Sequence, residues 1–252
     1  MEAWAFWVAA VVAAVLVGMG KGGVPVVGML GVPVLALVIS PVVAAGLLLP
    51  VYVVSDVFGL YAYRHAFDRR VLAIVVPGAV AGIAFGWATA SLVPEPAVTL
   101  LVGVIGVAFA LSLLLRRQVV AAPKRAEVVP GLFWGAVTGF TSFVSHAGAP
   151  PYQVYTLPLG MTKMVFAGTS TIAFAVINAV KLVPYYALGQ LSAGNLKTAA
   201  VLFVPAVIAV FAGVRLVNRL PEKLFFRLVT WALLLISVKL IWDGFAGLGG
   251  VR

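Results

Sequence analysis

The sequence predicts an all-α polytopic membrane protein of two inverted repeats, each a broken or re-entrant helical hairpin followed by three transmembrane helices. Three observations carry this. Of 252 residues, 63% are hydrophobic and 10% charged, whereas soluble domains carry about 25% charged residues. Apolar runs of membrane-spanning length recur, and they are continuous rather than alternating as in a membrane barrel. Two glycine- and proline-rich breaks, Gly18-Met19-Gly20-Lys21-Gly22-Gly23-Val24-Pro25 and Ser145-His146-Ala147-Gly148-Ala149-Pro150-Pro151, fall at matching places of the two halves.

The first apolar run, residues 4–17, has Glu2 and no basic residue ahead of it, which predicts a retained segment rather than a cleaved signal peptide. It is expected to stop at the first break. Residues 24–39 are apolar again but are punctuated by Pro25 and Pro33. Neither piece is expected to reach the ~20 residues of a full span. Residues 41–62 read as a span containing Asp56, followed by a loop with Arg64, Arg69 and Arg70. Spans at 71–92 and 97–115 complete a first repeat, residues 1–117. The polar stretch 118–130, with Lys124, Arg125 and Glu127, reads as a cytoplasmic linker. The second repeat, 131–252, opens with apolar 131–144, the second break and a short piece at 152–160. Spans at 163–187, 196–216 and 228–246 follow.

The halves align as repeats. Ser40 to Asp56 matches Thr162 to Asn178 without a gap, pairing Ala45-Gly46 with Ala167-Gly168. Pro94-Glu95 then matches Pro221-Glu222, with Pro77 and Pro205 ahead of them. Loop charge favours inverted over parallel repeats. Three basic loops hold eleven Lys and Arg residues: Arg64, Arg69 and Arg70; Arg116, Arg117, Lys124 and Arg125; Arg215, Arg219, Lys223 and Arg227. Placing all three loops in the cytoplasm obeys the positive-inside rule only if 131–160 makes zero or two crossings. Each half then crosses an odd number of times, and the hairpins enter from opposite faces to meet near the midplane.

The net charge of +10 therefore reads as cytoplasmic loops, not as a nucleic-acid surface. With no cysteine, two histidines and seven carboxylates, neither a metal centre nor any other cofactor is expected. The chemistry expected at the breaks is the binding of a small anion. Helix N-termini offer unpaired N–H groups and partial positive charge. Gly22, Gly23 and Gly148 would let backbone approach the ligand. Lys21 would add a full charge; its alternative is a shallow lysine reaching an interface. Ser145, Thr169 and Ser170 offer hydroxyl donors, though such residues also join membrane helices. His146 would bind the anion, carry a proton or serve structurally. Asp56 and Asn178, at equivalent repeat positions, suggest unequal duties. Asp56 would take a coupling ion, pair with Lys21 or Lys181, or lie at an interface. Lys239 and Asp243 are expected to pair along one helix face.

These residues resemble the TauE/SafE family of sulfite and organosulfonate permeases, also called the 4-toluene sulfonate uptake permease family. The resemblance covers most of the chain. It rests on Gly20-Lys21-Gly22-Gly23-Val24-Pro25, on Gly139-Phe140-Thr141-Ser142 running into Gly148-Ala149-Pro150-Pro151, and on Gly160-Met161-Thr162-Lys163 leading into Ala167-Gly168-Thr169-Ser170. It implies a multi-pass protein of the cytoplasmic (inner) membrane that carries small sulfur-containing anions such as sulfite, sulfoacetate or taurine-related sulfonates. The partners expected are that anion, membrane lipid and a coupling proton or sodium ion; the oligomeric state stays open. An anion channel and a carboxylate permease are the alternatives. An enzyme is not expected, since no catalytic triad, carboxylate pair or metal motif stands out.

Overall fold

A computed structural model describes residues 3–90, 92–115 and 124–249. These are helical, with no strand among the described residues. In chain order the helices are α1 (Ala3–Lys21), α2 (Pro25–Gly28), α3 (Gly31–Leu35), α4 (Pro41–Tyr63), α5 (Arg69–Ala88), α6 (Glu95–Leu115), α7 (Val128–Ser145), α8 (Ala149–Thr156), α9 (Lys163–Ala187), α10 (Ala193–Arg219) and α11 (Glu222–Gly249). A 3₁₀ turn, Leu157–Leu159, follows α8. Among the described residues eight helices, all but α2, α3 and α8, are long and apolar enough to cross a membrane. Large apolar side chains such as Trp4, Phe85, Leu101, Leu235 and Trp242 lie exposed on them. In water such a surface would aggregate; facing lipid it is the expected outside.

Two boundaries differ from expectation. The first apolar run does not stop at Gly18: α1 continues through Gly18 and Gly20 to Lys21 and reaches spanning length. Similarly, α7 starts at Val128, inside the stretch read as linker, and is also long enough to span. Each hairpin thus has one full-length arm and one short, broken arm: α2 with α3, or α8 with its 3₁₀ turn. The reason lies in packing. Glycine weakens an isolated helix, but inside a membrane it lets two backbones touch. Gly18 lies against the Ala206 carbonyl of α10. A Cβ on Gly22 would stand 2.6 Å from the Gly213 Cα of α10. Arg116, Arg117 and residues 118–123 of the expected linker lie outside the described residues.

The chain forms two compact units, and both draw on the two sequence halves. Unit 1 comprises residues 1–68 and 164–220; unit 2 comprises 69–163 and 221–252. In unit 1, α1 packs chiefly on α10, and α4 also lies against α10. In unit 2, α5 packs on α7 and α6 on α11. Small residues interleave along α5 and α7, with Gly78 against the Leu132 carbonyl and Gly135 against that of Val75. Prolines inside α4, α5, α9 and α10 (Pro50, Pro77, Pro184 and Pro205) are tolerated where neighbouring groups re-satisfy the backbone.

Candidate functional site

Unit 1 carries two polar stripes within otherwise apolar helices. On α4, Tyr52, Asp56, Gly59 and Tyr63 recur at helical spacing. On α9, Thr171, Phe174, Asn178, Lys181 and Tyr185 do the same. The end of α1 supplies Lys21.

Hydroxyl groups first settle the backbone that the break exposes. The Tyr63 hydroxyl donates to the Gly22 carbonyl at 2.6 Å, and that of Tyr52 to the Gly28 carbonyl at 2.7 Å. Thr171 Oγ1 donates to the Lys21 carbonyl at 3.1 Å. Carbonyls at a helix end have no intrahelical partner, and in hydrocarbon no water replaces one. Gly23 sits in the turn with φ +111°. A Cβ there would meet the Tyr63 ring and Ala167, so both conformation and space call for glycine. Tyr63→Phe is expected to cost about 1–2 kcal/mol by stranding the Gly22 carbonyl. Thermal unfolding of the purified variant checks this; an unchanged midpoint would mean that the carbonyl finds another donor.

The charged centre lies beside these tethers. Lys21 Nζ is 2.7 Å from Asp56 Oδ1, and Asn178 Nδ2 donates to Asp56 Oδ2 at 2.8 Å. Both carboxylate oxygens are therefore held. Of the two lysines considered as partners for Asp56, Lys21 is the one ion-paired with it in the structure. Asp56 and Asn178, which the sequence alignment of the two halves pairs, meet directly. Lys21 is 6% exposed and Asp56 3%, so this is a buried pair. The ammonium also stands 5.3 Å from the Tyr52 ring centroid and 5.9 Å from that of Phe174, an aromatic setting that favours a desolvated cation. Lys181, 1% exposed, lies one helical turn beyond Asn178, with its ammonium 5.4 Å from the Tyr185 ring centroid.

The remaining expected residues fall into distinct settings. Thr169 Oγ1 donates to the Val165 carbonyl at 2.6 Å and accepts the Asp68 N–H at 2.9 Å, which ties the turn after α4 to α9. Ser170 Oγ is buried without a hydrogen-bond partner in the protein, as is Ser55 Oγ beside Asp56. Ser145, His146 and Gly148 belong to unit 2. Ser145 Oγ donates to the Thr141 carbonyl at 3.2 Å. His146 ends α7 in the left-handed region, φ 54°, the one non-glycine residue so placed among the described residues. Gly148 caps α8. Sequence reasoning passed over Gln153 of α8, which is fully buried with neither amide atom bonded to protein. It also passed over Tyr52 and Tyr63, although their spacing with Asp56 on one helix face was readable.

A family model described as "Sulfite exporter TauE/SafE" matches residues 4–240. The chain belongs to the TauE/SafE family. TauE/SafE proteins form a membrane transporter family, in agreement with the eight helices of spanning length and apolarity among the described residues and consistent with a non-enzymatic role. This TauE/SafE protein is accordingly an integral, multi-pass membrane protein. Neither a curated protein nor a solved structure matches the chain.

Proposed function

We propose that this protein is a secondary carrier of small sulfur-containing anions, such as sulfite, sulfoacetate or another organosulfonate, across the cytoplasmic (inner) membrane. One observation carries the reading beyond family membership: Lys21, Asp56 and Lys181 are all buried in unit 1. Charged side chains inside spanning segments are costly, and they mark substrate or ion pathways. Lys21 and Lys181 supply positive charge, and Ser170 a hydroxyl donor. Gly22 and Gly23 permit the tight turn that sets Lys21 in place, and Thr169 steadies the neighbouring loop. In unit 2, Ser145, His146 and Gly148 are the contacts proposed for the second hairpin. Asp56 is the group proposed to exchange Lys21 for a coupling proton or sodium ion as the site opens to each side in turn.

Inverted repeats support such alternation. Counting each broken short arm as one return crossing gives five crossings per half, an odd number. Reciprocal packing supports the same symmetry, as in any two-fold arrangement. The hairpin arm α1 of the first half packs on α10 of the second, and the hairpin arm α7 of the second packs on α5 of the first.

Purified protein warmed with sulfite, sulfoacetate, taurine, acetate or chloride tests the substrate class. A true ligand at 100 times its dissociation constant adds about 2.7 kcal/mol of stability. Selective stabilisation by one sulfur anion, with saturable uptake into proteoliposomes, is the expected result. Stabilisation by acetate alone would move the assignment to carboxylates, and non-saturating flux would make the protein a channel.

A further inference from the structure

Gln153 of α8 is fully buried, and neither its amide nitrogen nor its amide oxygen is hydrogen-bonded to the protein among the described residues. Leaving a buried amide in this state is costly, and most buried polar side chains have a partner. Ser237 of α11 is buried likewise, with its hydroxyl unpartnered. A Cβ on Gly106 of α6 would collide with Ser237 Oγ and lie 3.3 Å from the Pro150 Cβ, so this hydroxyl adjoins the first turn of α8. Gln153 follows Pro150 by three residues, on the same side of that helix. All three helices belong to unit 2, whose described residues bury no charged side chain. The backbone at the start of α8 offers few donors. Pro150 and Pro151 have no N–H, and the Tyr152 N–H donates to the Gly148 carbonyl at 3.2 Å. Polar recognition at this short arm therefore falls to side chains rather than to the helix N-terminus.

We infer that Gln153 contacts the transported anion and selects a sulfonate that carries a hydroxyl close to its head group. This deepens the sulfur-anion carrier reading above and rests on it. The argument is one of hydrogen-bond balance. An amide brings two N–H donors and a carbonyl acceptor, and both ends of Gln153 are open. A bare sulfonate is acceptor only. It would satisfy the Gln153 Nε2 donors and leave Oε1 without a donor. A sulfonate with a nearby hydroxyl meets both ends, its oxygen accepting from Nε2 and its O–H donating to Oε1. An ammonium would also donate to Oε1, but it would bring a positive charge into a unit that buries no carboxylate to meet it, and a desolvated unpaired charge costs far more than a hydroxyl. The neutral hydroxyl is therefore the donor that fits this setting.

The test uses full-length purified protein in micelles and a buffer free of sulfonates. Binding of sodium ethanesulfonate and of sodium 2-hydroxyethanesulfonate is measured by calorimetry. The two anions carry the same charge and differ by one hydroxyl. The wild type is expected to bind the hydroxylated anion at least about tenfold more tightly, because a site built to bond a hydroxyl is left with an unpaired polar group by the analogue that lacks it. Gln153→Met should bring the two affinities to within about threefold of each other, since it removes that group. It should also raise the unfolding midpoint of the ligand-free protein, because an apolar side chain of similar shape leaves nothing unpaired. Equal affinities in the wild type, or tighter ethanesulfonate, would overturn the inference while leaving the carrier reading intact, and this arm stands even if the variant fails to fold. An unchanged preference in Gln153→Met would overturn it as well; a lowered ligand-free midpoint in the same variant would assign Gln153 to structure, bonded through buried water. If the wild type binds neither salt, the sulfur-anion reading falls, and this inference with it.

Discussion

Asp56→Ala is expected to destabilise the protein by about 3–5 kcal/mol, the cost of breaking a buried ion pair by removing one partner. The substitution leaves the Lys21 ammonium, 6% exposed, without its carboxylate and strands the Asn178 Nδ2 donor. Lys21→Ala should act in the same direction, because Asp56 would then be buried with Asn178 as its remaining partner. The loss belongs to the unpaired charge rather than to the bond. Lys21→Met with Asp56→Leu should therefore recover most of the stability, since apolar replacement of a buried pair is often neutral or stabilising. Equilibrium unfolding in mixed micelles, with a double-mutant cycle, measures both effects. A cost below about 1 kcal/mol for Asp56→Ala would match a solvated surface pair, and the lysine would then be at an interface rather than in a site.

The second large effect is steric. Gly22→Leu should separate α1 from α10, because even a Cβ at Gly22 would lie 2.6 Å from both the Gly213 Cα and the Val210 carbonyl oxygen. Neither is a flexible side chain that can swing aside. Overpacking typically costs about 1–3 kcal/mol where side chains can yield, and here backbone must move, so the upper end or beyond is expected. The turn that carries the Gly22 carbonyl would shift too, and with it the Tyr63 tether and the adjacent Lys21. Loss of anion binding should accompany the loss of stability. Gly249→Ala is the control: among the described residues no atom beyond its chain neighbours and the nearby backbone of its own helix lies within 4 Å of the added Cβ, and the change should stay within about 0.5 kcal/mol. Equal effects at the two positions would rule out close α1–α10 approach as the cause.

Much of this was readable from residue order alone. The spans around Asp56 and Asn178 are fixed by long apolar runs, and α4 and α9 run at Pro41–Tyr63 and Lys163–Ala187, close to the expected limits. The gapless match of Asp56 to Asn178 was visible because a polar residue in an apolar run has little reason to recur by accident. What the residue order could not supply was the partner of each glycine. Gly18 and Gly20 were read as helix breakers, a property of glycine in isolation. The α10 surface that accepts Gly18 and Gly22 lies nearly two hundred residues away in the sequence and leaves no local mark. The same holds for Lys21: a lysine after a glycine run looks alike whether it reaches an interface or finds a carboxylate on another helix. The tyrosine tethers were a different kind of miss. Tyr52, Asp56 and Tyr63 share a helical face, and a periodicity search for polar rather than apolar residues would have found them.

The interleaving of the two halves sets an order of events at the ribosome. α5 and α7 become available to each other early, with only α6 and the linker between them. α1 is made first, yet its partner α10 begins at Ala193. At about 5–20 residues per second, roughly ten to forty seconds pass before the two can meet. Through that interval a nascent helix with a small-residue face and a lysine at its end sits in the bilayer without its mate. Amino-terminal fragments that stop before Ala193 should therefore be substrates for quality-control proteolysis, because the α1 face that packs on α10 has no mate in them.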